Sequence, residues 1–424
     1  MTFLSNLPHN LFVVAVFLTM LVVLVGAHEL GHYLFARLFG MATEEFAIGM
    51  FGKPLVVLGK RRYLIPLKED DDPNFRGEAN PLEGGAMTEP TEVVDTPSGP
   101  ALRETTVFTI RPWPLGGFVR IKGMIPQEDG GETRVPGGFF SKEPWKRWIV
   151  LAAGPAFSVL AGILLIVPML MFEGEPTFSK EPVFGALAPD SKAAQVGFKK
   201  GDRVLSVDGK PVHRFYDIVV AVRDKGKVPI TLVADRKGQR IERTFVGRVE
   251  SDPSPVLNDE LEDTGVSRIQ TKLDAGPLVD NNKLPLGPAV VRAVKMPGEA
   301  VAGLAKRVMH PSELKKSVGG PGTMVKQTSI FVDAGFWPMV GFAGTISISL
   351  GIFNLLPFPP LDGGQMWIAF VEMLRGGRRL SLRTQLRVIN VGFAMVMLLV
   401  ATVLVIDVQR WTGYDSAPGF EKRK

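Results

Sequence analysis

The chain has 424 residues, 49 Lys and Arg against 43 Asp and Glu for a net charge of +6, 46% hydrophobic residues and no cysteine. That composition excludes a disordered chain and a disulfide-stapled miniprotein, and positive mean hydropathy beside 22% charged residues requires apolar and polar residues to be segregated along the chain. Net positive charge would fit nucleic acid, but no basic cluster interleaved with aromatics is present, so nucleic acid is not an expected partner.

The segregation begins at once. Residues 11–27 carry no charge, and at ~1.5 Å per residue they cover about 25 Å of a hydrocarbon core ~30 Å thick. No basic residue precedes this run and no small-residue cleavage site follows it, so it is read as a retained span, within a first helical segment over 1–40, rather than as a signal peptide. Runs at 149–172, 336–358 and 388–406 are each long enough to span. Lys142, Lys146 and Arg147 precede the second run, and Arg375, Arg378, Arg379, Arg383 and Arg387 fill the link between the third and fourth. Short basic links stay in the cytoplasm, which places 41–148 inside, 173–335 outside and the tail 407–424 outside. The inner region contains a charged, Pro/Gly-rich stretch at 68–100, expected to be a flexible insertion. The outer region holds a compact domain pattern at 182–247, an acidic loop at 250–263 and helical spacing at 298–318.

At the inner end of the first span stand His28, Glu29, Leu30, Gly31 and His32. On a helix, positions four apart share a face, so both imidazoles can reach one metal ion while Glu29 stays beside it as a general base. A catalytic zinc ion takes three protein ligands and leaves a fourth position for water. The third ligand is sought at the end of the third span, in Asn354-Leu355-Leu356-Pro357-Phe358-Pro359-Pro360-Leu361-Asp362-Gly363-Gly364, where three prolines forbid a plain helix. By spacing alone Asp362 serves equally well as a zinc ligand or as a helix N-cap. Broken backbone at membrane depth is tolerated where it lines a watered cavity, which suits hydrolysis.

The pairing of His28-Glu29-x-x-His32 in a first span with Asn354-x-x-Pro357-x-Pro359-x-Leu361-Asp362-Gly363 in a late one resembles the site-2 protease family of intramembrane zinc metalloproteases, in its bacterial RseP-like branch. The likeness extends to Pro114-Leu115-Gly116-Gly117-Phe118-Val119-Arg120 and Ala153-Gly154-Pro155. It implies zinc held by His28, His32 and Asp362, Glu29 activating water, and cleavage inside the transmembrane helix of a single-pass protein in the bilayer. It also implies a bacterial inner membrane location with the zinc site near the cytoplasmic face. Asn354 would hold a substrate carbonyl or the oxyanion. Where the family often has Gly-Pro-x-x-Asn, this chain has Gly154-Pro155-Ala156-Phe157-Ser158, and the hydroxyl lacks the amide's paired donor and acceptor.

Residues 118–122 alternate apolar with basic, which reads as a strand; it is a solvent-facing hairpin by pattern and a re-entrant β element by resemblance. In the second case Gly116, Gly117 and Phe118 bind unwound substrate by strand addition, with strands at 46–49 and 55–58 expected beside them. From residue 183 the pattern gives a strand, a short helix ending at Gly197, a turn at Gly201 and Asp202, a strand, a turn at Asp208 and Gly209, a helix at 215–222 and strands at 230–235 and 240–245. This resembles a permuted bacterial PDZ domain whose groove either docks a peptide or excludes untrimmed substrates. Residues 265–294 are a degenerate remnant or a linker.

The expected fold is therefore a polytopic α-helical membrane protein with four transmembrane helices and a re-entrant β element, plus a small extracytoplasmic α+β PDZ-like domain. Against the protease stand a metal transporter, since intramembrane His, Glu and Asp also mark ion paths, and an inactive PDZ-bearing adaptor. The intact Glu29 speaks against the adaptor. No inverted repeat supports the transporter. His213 and His310 are expected to be surface residues.

Overall fold

The computed structural model describes residues 7–66, 92–97, 99–124, 136–187, 191–249, 254–257, 263–273, 275–309, 319–378 and 380–412. The chain divides into two compact units, Met1–Met169 with Pro285–Lys424, and Leu170–Leu284.

In the first unit, helix α1 (Leu7–Leu38) leads into strands β1 (Thr43–Met50), β2 (Val56–Pro66), β3 (Glu92–Thr96), β4 (Gly99–Ile110) and β5 (Trp113–Ile121). Their sheet runs β2-β4-β1-β5, with β3 also on β4. The strand expected at 118–122 is thus β5, and 46–48 do lie beside it, with Phe46 opposite Val119, Ala47 opposite Phe118 and Ile48 opposite Gly117. Residues 56–58 do not. They open β2, which pairs with β4 two strands away, because β4 runs parallel to β1 and takes the place next to it. Part of the stretch 68–100, expected to be a flexible insertion, is strand instead, since β3 forms a ladder with β4 from Glu92 opposite Arg103 to Thr96 opposite Gly99; residues 67–91 lie outside the described residues.

Helix α2 covers Pro144–Phe172. Four helices among the described residues are long and apolar enough to cross a membrane: Leu7–Leu38, Pro144–Phe172, Phe336–Asn354 and Arg383–Gln409. The fourth expected span lies within a helix over Leu382–Thr412, so 407–412 continue it rather than beginning the tail. The third ends earlier than residue 358, at Asn354, because Pro357, Pro359 and Pro360 cannot supply helical N–H donors.

Helix packing follows from small residues. Gly154, Ser158 and Gly162 recur every fourth position along α2. A Cβ on Gly162 would stand 2.7 Å from the Gly344 carbonyl oxygen, so the backbone of Phe336–Asn354 lies directly against α2. Ser347 donates its hydroxyl proton to the Ser158 carbonyl at 2.7 Å across the same interface. At the start of α2, Arg147 is buried and ion-paired with fully buried Glu372 at 2.5 Å. Arg147 therefore serves packing as well as the orientation rule.

The second unit contains β6 (Glu175–Phe178), β7 (Phe184–Leu187), α3 (Lys192–Gln195), β8 (Arg203–Val207), β9 (Lys210–Pro211), α4 (Phe215–Arg223), β10 (Pro229–Arg236), β11 (Gln239–Val246) and β12 to β17 over 248–282. The elements expected at 183–245 form in the expected order. Ser191 caps α3 by accepting from the Ala194 N–H, and β8 to β11 make a four-stranded sheet in the order β11-β10-β8-β9. The unit reaches beyond residue 247. Strand β16 (Ala275–Pro277) pairs with β7, and Leu273 and Ala275 pack on the core formed by Phe184, Val204, Phe215, Ile218, Ile230 and Leu232. Residues 271–282 are thus part of this unit. The helical spacing expected at 298–318 belongs to α5 (Leu286–Val308), which begins earlier; 310–318 lie outside the described residues, and His310 with them.

Beyond it come α6 (Pro321–Ala334), α7 (Phe336–Asn354), α8 (Asp362–Leu374) and α9 (Leu382–Thr412). Helix α6 was not legible as a separate element. Buried Asp407 of α9 caps it by accepting from the Gly322 N–H at 2.8 Å and from the Thr323 hydroxyl.

Candidate active site

Three helices and one strand build the site. Helix α1 presents His28 and His32 on one face, both buried, with half-buried Glu29 between them. Helix α8 presents Asp362 from its first turn. Leu361, not Asp362, occupies the N-cap position. The glycines after it are needed for the turn to close, since a Cβ on Gly363 would stand 2.3 Å from the Leu356 carbonyl oxygen.

Asp362 Oδ2 lies 3.0 Å from His28 Nε2 and 3.3 Å from His32 Nε2, and the two Nε2 atoms are 3.2 Å apart. A tetrahedral zinc site with ligands at ~2.0–2.1 Å has edges of about 3.3 Å, so this triangle fits one face of such a site. His32 Nδ1 lies 2.8 Å from the Val150 carbonyl oxygen, which can only accept, so the neutral ring donates there and turns a lone pair on Nε2 toward Asp362 and His28. Two acceptors, that lone pair and a carboxylate oxygen, therefore converge. A cation resolves the convergence.

Helix α2 comes close enough to complete the wall because it carries glycine where it meets His32. Ser158 of the same helix places its Oγ 2.9 Å from His28 Nδ1. Val150 was not identified from the sequence, and Ser158 was singled out there only as the residue standing where the family often has Asn. A backbone carbonyl leaves no side-chain signal, whereas the four-residue recurrence of Gly154, Ser158 and Gly162 is a signal that could have marked this face.

Strand β5 lies against α1. A Cβ on Gly117 would stand 3.6 Å from Glu29 Cγ, and the Val119 backbone N–H hydrogen-bonds the Glu29 carboxylate. Among the described residues β5 has a single strand neighbour, β1. Gly116 adopts φ +104° beside Met50. Phe118 projects to the opposite face from Gly117, between the Arg111 and Arg120 guanidiniums at 5.1 and 5.6 Å. Asn354 donates from its Nδ2 to the Leu350 carbonyl at 3.0 Å, one turn back in its own helix. His213 is exposed, as expected.

Among the described residues, His28, His32 and Asp362 form the one group able to hold a metal ion. The family model described as Peptidase family M50 matches residues 16–67 and 97–399. The chain belongs to peptidase family M50. It is 30% identical over 399 residues to a putative zinc metalloprotease of Rhizobium meliloti, covering 93% of this chain and 95% of that protein. It is similar to the regulator of sigma-W protease RasP of Bacillus subtilis, 25% identical over 420 residues, with 91% and 96% covered. The probable protease eep of Enterococcus faecalis is 26% identical over 435 residues, with 92% and 97% covered. The M50 chain is a zinc metalloprotease of the site-2 type and a polytopic membrane protein. The transporter and inactive-adaptor readings give way to it.

Proposed function

We propose that this M50 protease hydrolyses peptide bonds within the transmembrane helices of single-pass membrane proteins, with His28, His32 and Asp362 holding zinc and Glu29 as general base. The observation that carries the reading is the convergence of the three ligand atoms beside Glu29, next to the edge strand β5. Zinc, when bound, lowers the pKa of water and polarises a carbonyl. Glu29 accepts the proton of the attacking water and delivers it to the leaving amine. Its hydrogen bond from Val119 keeps the carboxylate turned to the site.

A helical peptide bond is shielded by its own hydrogen-bond ladder, so the substrate must be extended before attack. β5 supplies a template for that. Gly116, Gly117 and Phe118 contribute through their main chain, since the Phe118 ring is held by Arg111 and Arg120. Asn354 reaches a substrate carbonyl or oxyanion only after its amide leaves Leu350.

The distribution of basic residues supports a cytoplasmic face for the zinc site, with the second unit on the outer side of a bacterial inner membrane. The element order of β7 to β11 supports a permuted PDZ-like domain, completed by β16, whose groove between β16 and α4 either takes a peptide or turns bulky substrates away. Anti-sigma factors, other signalling proteins and remnant signal peptides are the substrate classes considered.

The test is cleavage of reconstituted single-pass substrates by the wild-type chain, with fragments sized by mass spectrometry. Cuts inside the apolar segment, lost with a chelator and restored by zinc, are expected; cuts confined to extramembrane segments would overturn the reading.

A further inference from the structure

We infer that the Ser158 hydroxyl accepts a hydrogen bond from His28 Nδ1–H and thereby fixes His28 in the tautomer that offers Nε2 to the metal. Ser158 is then a positioning residue for zinc. The inference rests on the ligand set proposed above.

An imidazole ligand offers a lone pair on one nitrogen and carries its proton on the other, and the partner of that proton sets the ring's orientation. The two histidines of this site differ in how firmly that partner is defined. His32 Nδ1 faces the Val150 carbonyl, which can only accept. His28 Nδ1 faces the Ser158 hydroxyl at 2.9 Å, which can donate or accept. Two states of His28 are therefore open. In one, Nε2–H donates to Asp362 Oδ2 at 3.0 Å while the hydroxyl donates to Nδ1. In the other, Nδ1–H donates to the hydroxyl and Nε2 is left with its lone pair.

Only the second state holds a metal. In it the Nδ1–H, buried in the helix interface, has no other hydrogen-bond partner among those found for His28, so removing the hydroxyl leaves a buried donor unpaired. Ser158 is itself held firmly. It is fully buried, its carbonyl accepts from Ser347 Oγ at 2.7 Å, and its Cβ faces the bare backbone of Gly351. The hydroxyl thus belongs to a chain of contacts from α7 through α2 to α1, and its place is set by helix packing rather than by the metal.

The test uses the full-length protein in detergent, with zinc affinity measured by chelator competition for wild type, Ser158→Ala and Ser158→Asn. Ser158→Ala is expected to bind zinc about 10- to 100-fold more weakly, with thermal unfolding of the metal-free protein little changed. Ser158→Asn, whose amide oxygen can accept the same proton, is expected to recover most of that loss. Wild-type affinity in Ser158→Ala, or an equal loss in both variants, overturns the inference. His28→Ala and Asp362→Ala separate the two levels of the argument. If they keep wild-type affinity, the ligand set fails and the inference with it; if they lose zinc while Ser158→Ala does not, the inference alone fails. A measurement on the unaltered protein adds to this: the chain has five histidines, and solid-state nitrogen spectra of the zinc-loaded, histidine-labelled protein should show His28 protonated at Nδ1. A metal-bound Nδ1 contradicts it.

Discussion

Gly154 lies so close to His32 that a Cβ built on it would stand 2.2 Å from the imidazole Nε2. No side chain fits there without moving the nitrogen that faces Asp362. Gly154→Ala is therefore expected to displace the His32 ring, and misplacement on the scale of 1 Å costs on the order of 100-fold in rate. Zinc content and cleavage should fall together in this variant, and a fully loaded, fully active Gly154→Ala protein would show that the helices part more easily than their contact implies.

The buried pair between Arg147 and Glu372 joins the start of α2 to the helix that begins with Asp362. Removing one partner leaves an uncompensated buried charge, for which about 3–5 kcal/mol is typical. Arg147→Met and Glu372→Leu should each lower the thermal midpoint of the detergent-solubilised protein substantially. Combined in one chain they should lower it less than either does alone, because no orphan charge remains.

Strand β5 offers a test of substrate extension that leaves the metal untouched. The Val119 N–H of this edge strand hydrogen-bonds the Glu29 carboxylate. Val119→Pro deletes that donor, and proline is tolerated at an outward-facing position of an edge strand. Cleavage should fall at least about tenfold at unchanged zinc content, as expected for one lost hydrogen bond to a charged group. Unchanged cleavage would remove β5 from the mechanism.

Much of this architecture was legible because apolar length and HExxH spacing are local signals. The four spans follow from uncharged apolar length, and the helical face shared by His28 and His32 from the period of 3.6 residues. Spacing alone left Asp362 as ligand or cap, and what the fold adds is its contact with His28 and His32, 334 and 330 positions away in sequence. β4 escaped notice because its parallel pairing with β1 has no local signature, and it lies between β2 and β1 in the sheet. β16 is three residues long and earns its place by closing a core whose other members lie far upstream. Short elements defined by distant partners are the ones that pattern reading loses.

The second unit should respond to acid through Asp202. Burial by itself would raise its pKa, but the Arg236 guanidinium, bonded to both carboxylate oxygens at 2.7 Å, and the Lys199 N–H at 2.8 Å outweigh burial and hold it below the ordinary value. A carboxylate with a depressed folded pKa contributes stability that is complete above its unfolded pKa of about 4 and is lost as pH falls through the lower folded value. Hydrogen exchange of β8 and β10 amides in the full chain should therefore lose protection below about pH 4, and Asp202→Asn should flatten that dependence.

The central claim is that metal binding and proton transfer reside in different side chains of one site. Zinc stoichiometry and cleavage of a reconstituted transmembrane substrate, measured together for wild type, Glu29→Gln and Asp362→Ala, test it most directly. Glu29→Gln should retain about one zinc per chain and lose cleavage by ~100-fold or more, whereas Asp362→Ala should lose both. Cleavage by Glu29→Gln at the wild-type rate, or full zinc in an Asp362→Ala chain that still cuts, would contradict the account.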